Sequence, residues 1–130
     1  MNSISRLHSI VALKTVSNLV PISDELCEGF MSQGILDVLY EFLQYVETHS
    51  ISIDVSDDYV YWLVIFVLGN LAAGGENAVD SILQSPLFHA VNALILDPSR
   101  NHGLFIEFVY YMSNLVCSAN ESQVCAFGDF

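Results

Sequence analysis

The chain has 130 residues and a formal net charge of −12, with 15 acidic residues against 3 basic ones. Hydrophobic residues make up 53% of it, which excludes an intrinsically disordered chain and allows one domain with a hydrophobic core. Such a charge repels phosphate backbones, so no nucleic-acid partner is expected; it either attracts cationic partners or only keeps an apolar chain in solution.

A membrane-spanning segment is not expected. The longest apolar stretch covers residues 59–71 and is soon broken by Gly74 and Gly75, so it is shorter than the roughly 20 apolar residues that a bilayer requires. It predicts a buried helix instead. Residues 1–11 lack the apolar run and the small-residue cleavage site of a secretory signal. We therefore expect a cytoplasmic or nuclear protein with no membrane partner.

The sequence lacks motifs for catalysis or for a bound cofactor. No nucleophile elbow or phosphate-binding loop occurs, and the Gly74-Gly75 pair follows a predicted helix, which fits helix termination. The histidines do not have metal-ligand spacing, and no C-x-x-C pair is present for zinc. Cys27, Cys117 and Cys125 lie in apolar helical patterns and are predicted to be reduced core thiols. No enzyme, metal or cofactor is expected.

The first part of the chain predicts two helices. Apolar residues recur at helical spacing over residues 3–20, and Pro21 ends that pattern. Ser23 and Asp24 then have the composition of an N-terminal cap for a short helix, which Gly34 closes.

The rest of the chain repeats one order of helices. A helix is predicted over residues 35–46, followed by a loop over the acidic segment 47–58, in which Ser50 to Val55 has the pattern of a brief extended segment. The same order then returns, with helices predicted over 58–73, 77–84, 86–96 and 102–117 and another one beginning at Ser122. A turn-rich connector covers 97–101. Because strand alternation is otherwise weak, the predicted fold class is all-α.

The three predicted long helices share a short motif, which is an apolar residue followed by a small residue, Asn and Leu. It occurs as Val16-Ser17-Asn18-Leu19, Leu68-Gly69-Asn70-Leu71 and Met112-Ser113-Asn114-Leu115. The asparagines are 52 and 44 residues apart, close to the length of about 40 to 47 residues that is typical of helical repeats. The first interval is longer because it contains the acidic loop.

This pattern resembles the armadillo-repeat family. The run from Phe66 to Gly74 is most similar to the third helix of an importin-alpha repeat. The resemblance implies an armadillo-type right-handed α-solenoid of triple-helix repeats in a single domain, residues 1–130. Its parts would be a third helix at about 1–20, a repeat at 23–73 with the acidic loop 47–58, a repeat at 76–118, and the start of a further repeat at 121–130.

In that family the third helices line a concave groove, and their asparagines hold the backbone of an extended peptide, since an amide offers both a donor and an acceptor. The resemblance implies a peptide-binding site formed by Asn18, Phe66, Asn70, Tyr110 and Asn114. The family's Trp, one turn before each Asn, is replaced here by Lys14, Phe66 and Tyr110. Trp62 lies two turns before Asn70. Lys14 is expected to repel a cationic peptide, while the two aromatic residues can still pack a cationic side chain.

Two sets of polar residues have both a binding and a structural interpretation. Asp24 and Glu76 lie six residues after an aligned Asn, a position that Asn120 occupies in the last repeat. The two acidic residues either supply negative potential at the groove margin or cap helices. The asparagines themselves either hold a peptide or satisfy the backbone at the helix's C-terminal end.

These observations predict a protein-binding module that holds an extended basic peptide and resembles a nuclear-import adaptor. The alternative is a structural or scaffolding armadillo fragment that self-associates into a homo-oligomer or docks on a folded partner through apolar surfaces. The missing Trp ladder and Lys14 favour this alternative. So do apolar residues in the terminal helices, namely Ile4, Leu7 and Ile10 at one end and Val124, Phe127 and Phe130 at the other.

Overall fold

A computed structural model describes residues 3–48, 57–97 and 102–127 of the chain. These residues form α-helices joined by short turns, with no strand in the described ranges, which confirms the all-α class. The helices are α1 Ser3–Leu19, α2 Asp24–Ser32, α3 Ile35–Thr48, α4 Asp57–Ala72, α5 Glu76–Gln84, α6 Pro86–Leu96, α7 His102–Ser118 and α8 Glu121–Ala126, and a 3-10 turn at Val20–Ile22 follows α1.

The predicted acidic loop over 47–58 is wrong at both of its edges. Glu47 and Thr48 belong to α3, where the Thr48 hydroxyl donates to the carbonyl of Gln44 at 3.0 Å and thereby satisfies a backbone group near the helix end. Asp57 and Asp58 form the first turn of α4, where negative charge is favoured by the helix dipole. The predicted extended segment at 50–55 lies outside the described residues, as does 98–101 of the second connector.

The helix boundaries follow from caps that are visible in the sequence. The predicted N-cap Ser23 accepts a hydrogen bond from the Leu26 amide at 3.2 Å. Gly34 and Gly75, which separate successive helices, have φ of 84° and 101°, a region in which residues with a Cβ are strained. Asn120 opens α8 with a capping box, so this helix begins one residue earlier than predicted.

The three long helices lie side by side in chain order, because α4 packs against α1 on one side and against α7 on the other. Helix α4 is the centre of the core. Its side chains that are at most 2% exposed are Val60, Tyr61, Leu63, Val64, Ile65, Val67, Leu68, Leu71 and Ala72. The middle helices α3 and α6 contact each other, and so do the short helices α2 and α5. We call α1, α2 and α3 the first set of helices and α4, α5 and α6 the second set. Each helix of the first set thus contacts its equivalent in the second, as α1 does with α4, α2 with α5 and α3 with α6.

Small residues allow the long helices to approach closely. A Cβ added to Gly69 of α4 would lie 3.5 Å from the Cα and the Cβ of Tyr111 in α7, so the backbones of the two helices are almost in contact here. The equivalent residue of α1, Ser17, is only 5% exposed. The small residues that precede Asn18 and Asn70 therefore lie at helix–helix contacts.

The cysteine prediction is only partly correct. All three cysteines are free thiols; Cys27 is buried, whereas Cys117 and Cys125 are exposed. Burial raises the pKa of the Cys27 thiol, and the nearby charges of Asp24 and Glu28 raise it further. Apolar neighbours in sequence did not reveal that the other two thiols lie on an outer helix face.

The predicted apolar ends also require a correction. Ile10 is 5% exposed and belongs to the core, because α1 packs it against α4. Val124 is 42% exposed, as predicted, and Phe127 is partly buried. The side chains of Ile4, Leu7 and Phe130 lie outside the described residues.

In the described ranges no single helix is both long and apolar enough to cross a membrane. Helices α5 and α6 meet that requirement only as a joined pair, and they are bent by 74° at their junction.

The packing predicts opposite effects for two glycine substitutions. In Gly74→Ala the new Cβ would lie 2.6 Å from the Cys27 sulfur and 3.1 Å from the Leu71 carbonyl oxygen. We expect it to lower the free energy of unfolding by about 1–3 kcal/mol. Gly29→Ala meets nothing within 4 Å inside a helix, so a gain of up to about 1 kcal/mol is expected. Urea denaturation followed by circular dichroism measures both, and equal stability of the two variants would contradict this packing.

Candidate functional site

All five residues of the predicted peptide site line one groove along the long helices. A cavity of about 380 Å³ is lined by Asn18, Phe66, Asn70 and Tyr110, and an adjoining one of about 260 Å³ is lined by Asn114. The two cavities share three lining residues, Pro21, Asn70 and Tyr110, so they lie next to each other. We refer to these two cavities together as the groove.

The asparagines connect the long helices to one another. The Asn70 side-chain amide of α4 donates to the Ser17 carbonyl of α1 at 3.1 Å. In the same way the Asn114 amide of α7 donates to the Gly69 carbonyl of α4, also at 3.1 Å. Each acceptor is the residue just before the aligned Asn of the preceding long helix. We call this pair of bonds the amide ladder.

For Asn70 and Asn114 the amide ladder supports the structural interpretation without removing the binding one. Each side chain satisfies a carbonyl in the last turn of the preceding long helix, because Ser17 and Gly69 lie near the C-terminal ends of α1 and α4. An amide has two N–H donors and one carbonyl acceptor, so one donor and the acceptor of each side chain remain available in the groove. Asn18 is exposed, and its side chain makes no hydrogen bond with any residue that the structure describes.

Stacked aromatic rings extend along α4 from the groove. Trp62 stacks on Phe66 with ring centroids 5.1 Å apart and on Tyr59 at 6.0 Å. Trp62 therefore packs against the Phe66 ring and supports it. Lys14 has its ammonium 5.2 Å from the Tyr59 ring centroid, at the far end of this stack. Its charge is thus drawn to an aromatic face away from the groove-lining residues.

Glu107 of α7 also lines the groove, and the sequence analysis missed it. Its carboxylate accepts a hydrogen bond from the Trp62 side chain. Burial raises the pKa of this carboxyl above its usual range, and the bond from Trp62 offsets the rise only in part. Helical spacing could have identified the residue, because Glu107 lies seven residues before Asn114 and therefore on the same helix face.

The other predicted acidic positions have different surroundings. Asp24 lines the smaller cavity at the groove margin, while Ser23 rather than Asp24 caps α2. Glu76 accepts a long hydrogen bond of 3.5 Å from the Asn120 amide, so its carboxylate is directed to the first turn of α8. Negative charge in the groove therefore comes from Asp24 and Glu107.

The described residues contain no group of three or more His, Cys, Asp or Glu side chains that could hold a metal ion. Comparison of the chain with protein-family models, with curated proteins and with solved structures gives no match.

The amide ladder predicts a difference among three equivalent substitutions. Asn70→Ala and Asn114→Ala each remove one inter-helix hydrogen bond, so each is expected to lower the free energy of unfolding by about 1 kcal/mol relative to Asn18→Ala. Asn18→Ala removes no hydrogen bond but makes the same change in helix propensity, which makes it the matched control. Chemical denaturation of the three variants provides the test. If all three lose the same stability, the ladder bonds do not stabilise the fold.

The contact between Glu107 and the single tryptophan predicts a pH-dependent signal. Trp62 fluorescence should titrate with a midpoint above the usual glutamate range. Because the folded-state pKa is raised, the stability that this group contributes is fully present below its unfolded-state pKa and is lost as the pH rises through the folded value. Glu107→Gln should abolish the titration. A titration that persists in this variant would show that another group is responsible.

Proposed function

We propose that this chain forms an armadillo-type α-solenoid that binds an extended basic peptide in the groove. Three structural features support the solenoid. Equivalent helices of the two sets contact each other, the long helices lie in chain order, and the amide ladder repeats with one register across both long-helix contacts. A repeated contact of this kind is what stacked repeats produce.

The observation that carries the binding proposal is the convergence of amide, aromatic and acidic groups in one groove. Free amide donors and acceptors pair with the main chain of an extended peptide whatever its sequence. The faces of Phe66 and Tyr110 pack the alkyl stems and the charges of Lys or Arg. Glu107 and Asp24 supply negative charge beside them. Such a groove holds a peptide without catalysing a reaction on it.

A basic peptide is favoured over an acidic or neutral one for an electrostatic reason. The Glu107 carboxylate is partly desolvated, so a cation placed beside it would recover interaction energy that water now supplies incompletely. The net charge of −12 also attracts a cationic ligand at long range. By resemblance, the ligand class we propose is a nuclear-localisation-type peptide in the cytoplasm or nucleus.

Fluorescence anisotropy of a labelled lysine-rich peptide tests the proposal. We expect saturable binding that weakens about tenfold between low salt and roughly 0.15 M salt, because exposed charges are then screened. Glu107→Gln should weaken binding by about 1.5-fold to fivefold, which corresponds to the roughly 0.2–1 kcal/mol of one exposed ion pair. The matched control is Glu47→Gln, which changes the net charge equally at an exposed position on α3, outside the groove.

Two outcomes would contradict the proposal. One is equal binding of a glutamate-rich peptide of the same length, which would show that the groove does not select positive charge. The other is an equal effect of Glu107→Gln and Glu47→Gln, which would place the ligand outside the groove.

A further inference from the structure

The amide ladder has an unused donor at one end and an unused acceptor at the other. Asn18 of α1 is aligned with Asn70 and Asn114 but has no acceptor among the described residues. The carbonyl of Ser113 in α7 occupies the position of the acceptors Ser17 and Gly69, and no side chain in the described ranges donates to it. The two ends therefore match each other as donor and acceptor.

Another contact between adjacent long helices would also be repeated if α7 of one copy lay against α1 of a second copy. Trp62, eight residues before its aligned Asn, contacts Glu107, seven residues before the next one. If α1 of a second copy followed α7 in the same register, Ile106 would occupy the Trp62 position and Val11 of the second copy the Glu107 position. Ile106 is 61% and Val11 is 62% exposed. Two exposed aliphatic side chains would thus become buried against each other.

Polar positions at the short helices are complementary as well. Within the chain, Asn120 donates to Glu76, and both lie six residues after an aligned Asn. In the continued register Asn120 would face Asp24 of the second copy, again an amide beside a carboxylate. The close contact of Gly69 with Tyr111 would become a contact of Ser113 with Thr15, so a small residue is again present where the backbones approach.

Apolar surface is available on both ends. A cavity of about 460 Å³ between α1 and α3 is lined mainly by apolar residues, among them Leu13, Val16, Val38 and Phe42. On the opposite side of the chain, the exposed edge of α7 forms a shallow cavity of about 560 Å³ lined by residues that include Phe108, Val109, Met112 and Val116. Repeat arrays bury such faces against the next repeat.

We propose that a second copy of this chain packs its α1 against α7 of the first, head to tail, in the register of the amide ladder. The two faces differ, so the interface is heterologous and its repetition gives an open stack rather than a closed dimer. The register selects the occupant, because the donor, the acceptor, the aliphatic pair and the amide–carboxylate pair all match when the second copy continues the first.

Salt should act on the stack in the direction opposite to its action on peptide binding. Two copies with a net charge of −12 repel each other, and added salt screens that repulsion while leaving apolar contact intact. Sedimentation velocity over a range of protein concentrations should therefore show assembly that becomes stronger as salt is raised.

A mixing experiment tests the polarity of the interface. Val11→Glu blocks the α1 end and Ile106→Glu blocks the α7 end, since each buries an unpaired charge in an apolar contact. Each variant alone should sediment as a monomer. An equimolar mixture should form a one-to-one dimer, because the first variant keeps an intact α7 end and the second an intact α1 end.

Leu96→Glu is the matched control. Leu96 is 82% exposed and lies 26 residues after Asn70, as Gln44 does after Asn18. Gln44 belongs to α3 and stays exposed although α6 packs against α3. Leu96, at the equivalent position of α6, should therefore stay exposed when a second copy packs against this end. This variant should assemble like the unmodified chain.

The outcomes separate head-to-tail packing from the alternatives. A symmetric dimer would be broken by one of the two charges only, or would not be restored by mixing. Nonspecific apolar association would be weakened equally by Leu96→Glu. An unmodified chain that stays monomeric at all salt concentrations would overturn the proposal. It would leave the peptide-binding proposal unaffected, because that proposal needs only the groove of a single copy.

Discussion

The side-chain amides that donate to the backbone of the preceding long helix fix the arrangement on which the other features depend. A hydrogen bond between a short side chain and a carbonyl on another helix requires the two backbones to lie close together. Ser17 and Gly69 provide that proximity, since each is small and lies at the contact. With two such bonds at equivalent positions, α1, α4 and α7 share one register. The groove residues then lie on one side because they occupy equivalent positions in that register.

The same amides can support the fold and hold a ligand. A buried polar group is costly unless it is hydrogen-bonded, and the ladder satisfies one donor of Asn70 and one of Asn114. Both residues line the groove, and each keeps one donor and its carbonyl oxygen for water or for a peptide backbone. A structural and a binding role therefore do not compete for the same atoms. From sequence, the binding role and the structural role of each Asn were alternatives, whereas in the structure different atoms of one amide can serve both.

Much of the helix order and of the groove could be predicted because both depend on local pattern. Apolar periodicity, the Ser23 cap and the turn glycine Gly34 define helices within a few residues, and the aligned motif identifies equivalent positions. What periodicity cannot provide is the identity of a neighbour from another helix. Glu107 was missed for this reason, since its importance comes from Trp62 across a helix contact. Ile10 was assigned to an exposed end for the same reason, although α4 covers it.

The two proposed interactions share Asn18 and Asp24 but can occur together, because an amide has a second donor and an acceptor and a carboxylate can accept several hydrogen bonds. Peptide binding depends on Glu107, Phe66 and Tyr110 inside the groove, whereas stacking depends on Val11 and Ile106 at the ends. Stacked copies would continue the groove from one copy to the next, because the register that aligns α1 with α4 would also align α7 with the next α1. A long basic peptide held by two copies would bind the second at a high effective concentration. Its positive charge would also offset the repulsion between the two acidic copies, so by linkage a long peptide should promote the stack that binds it.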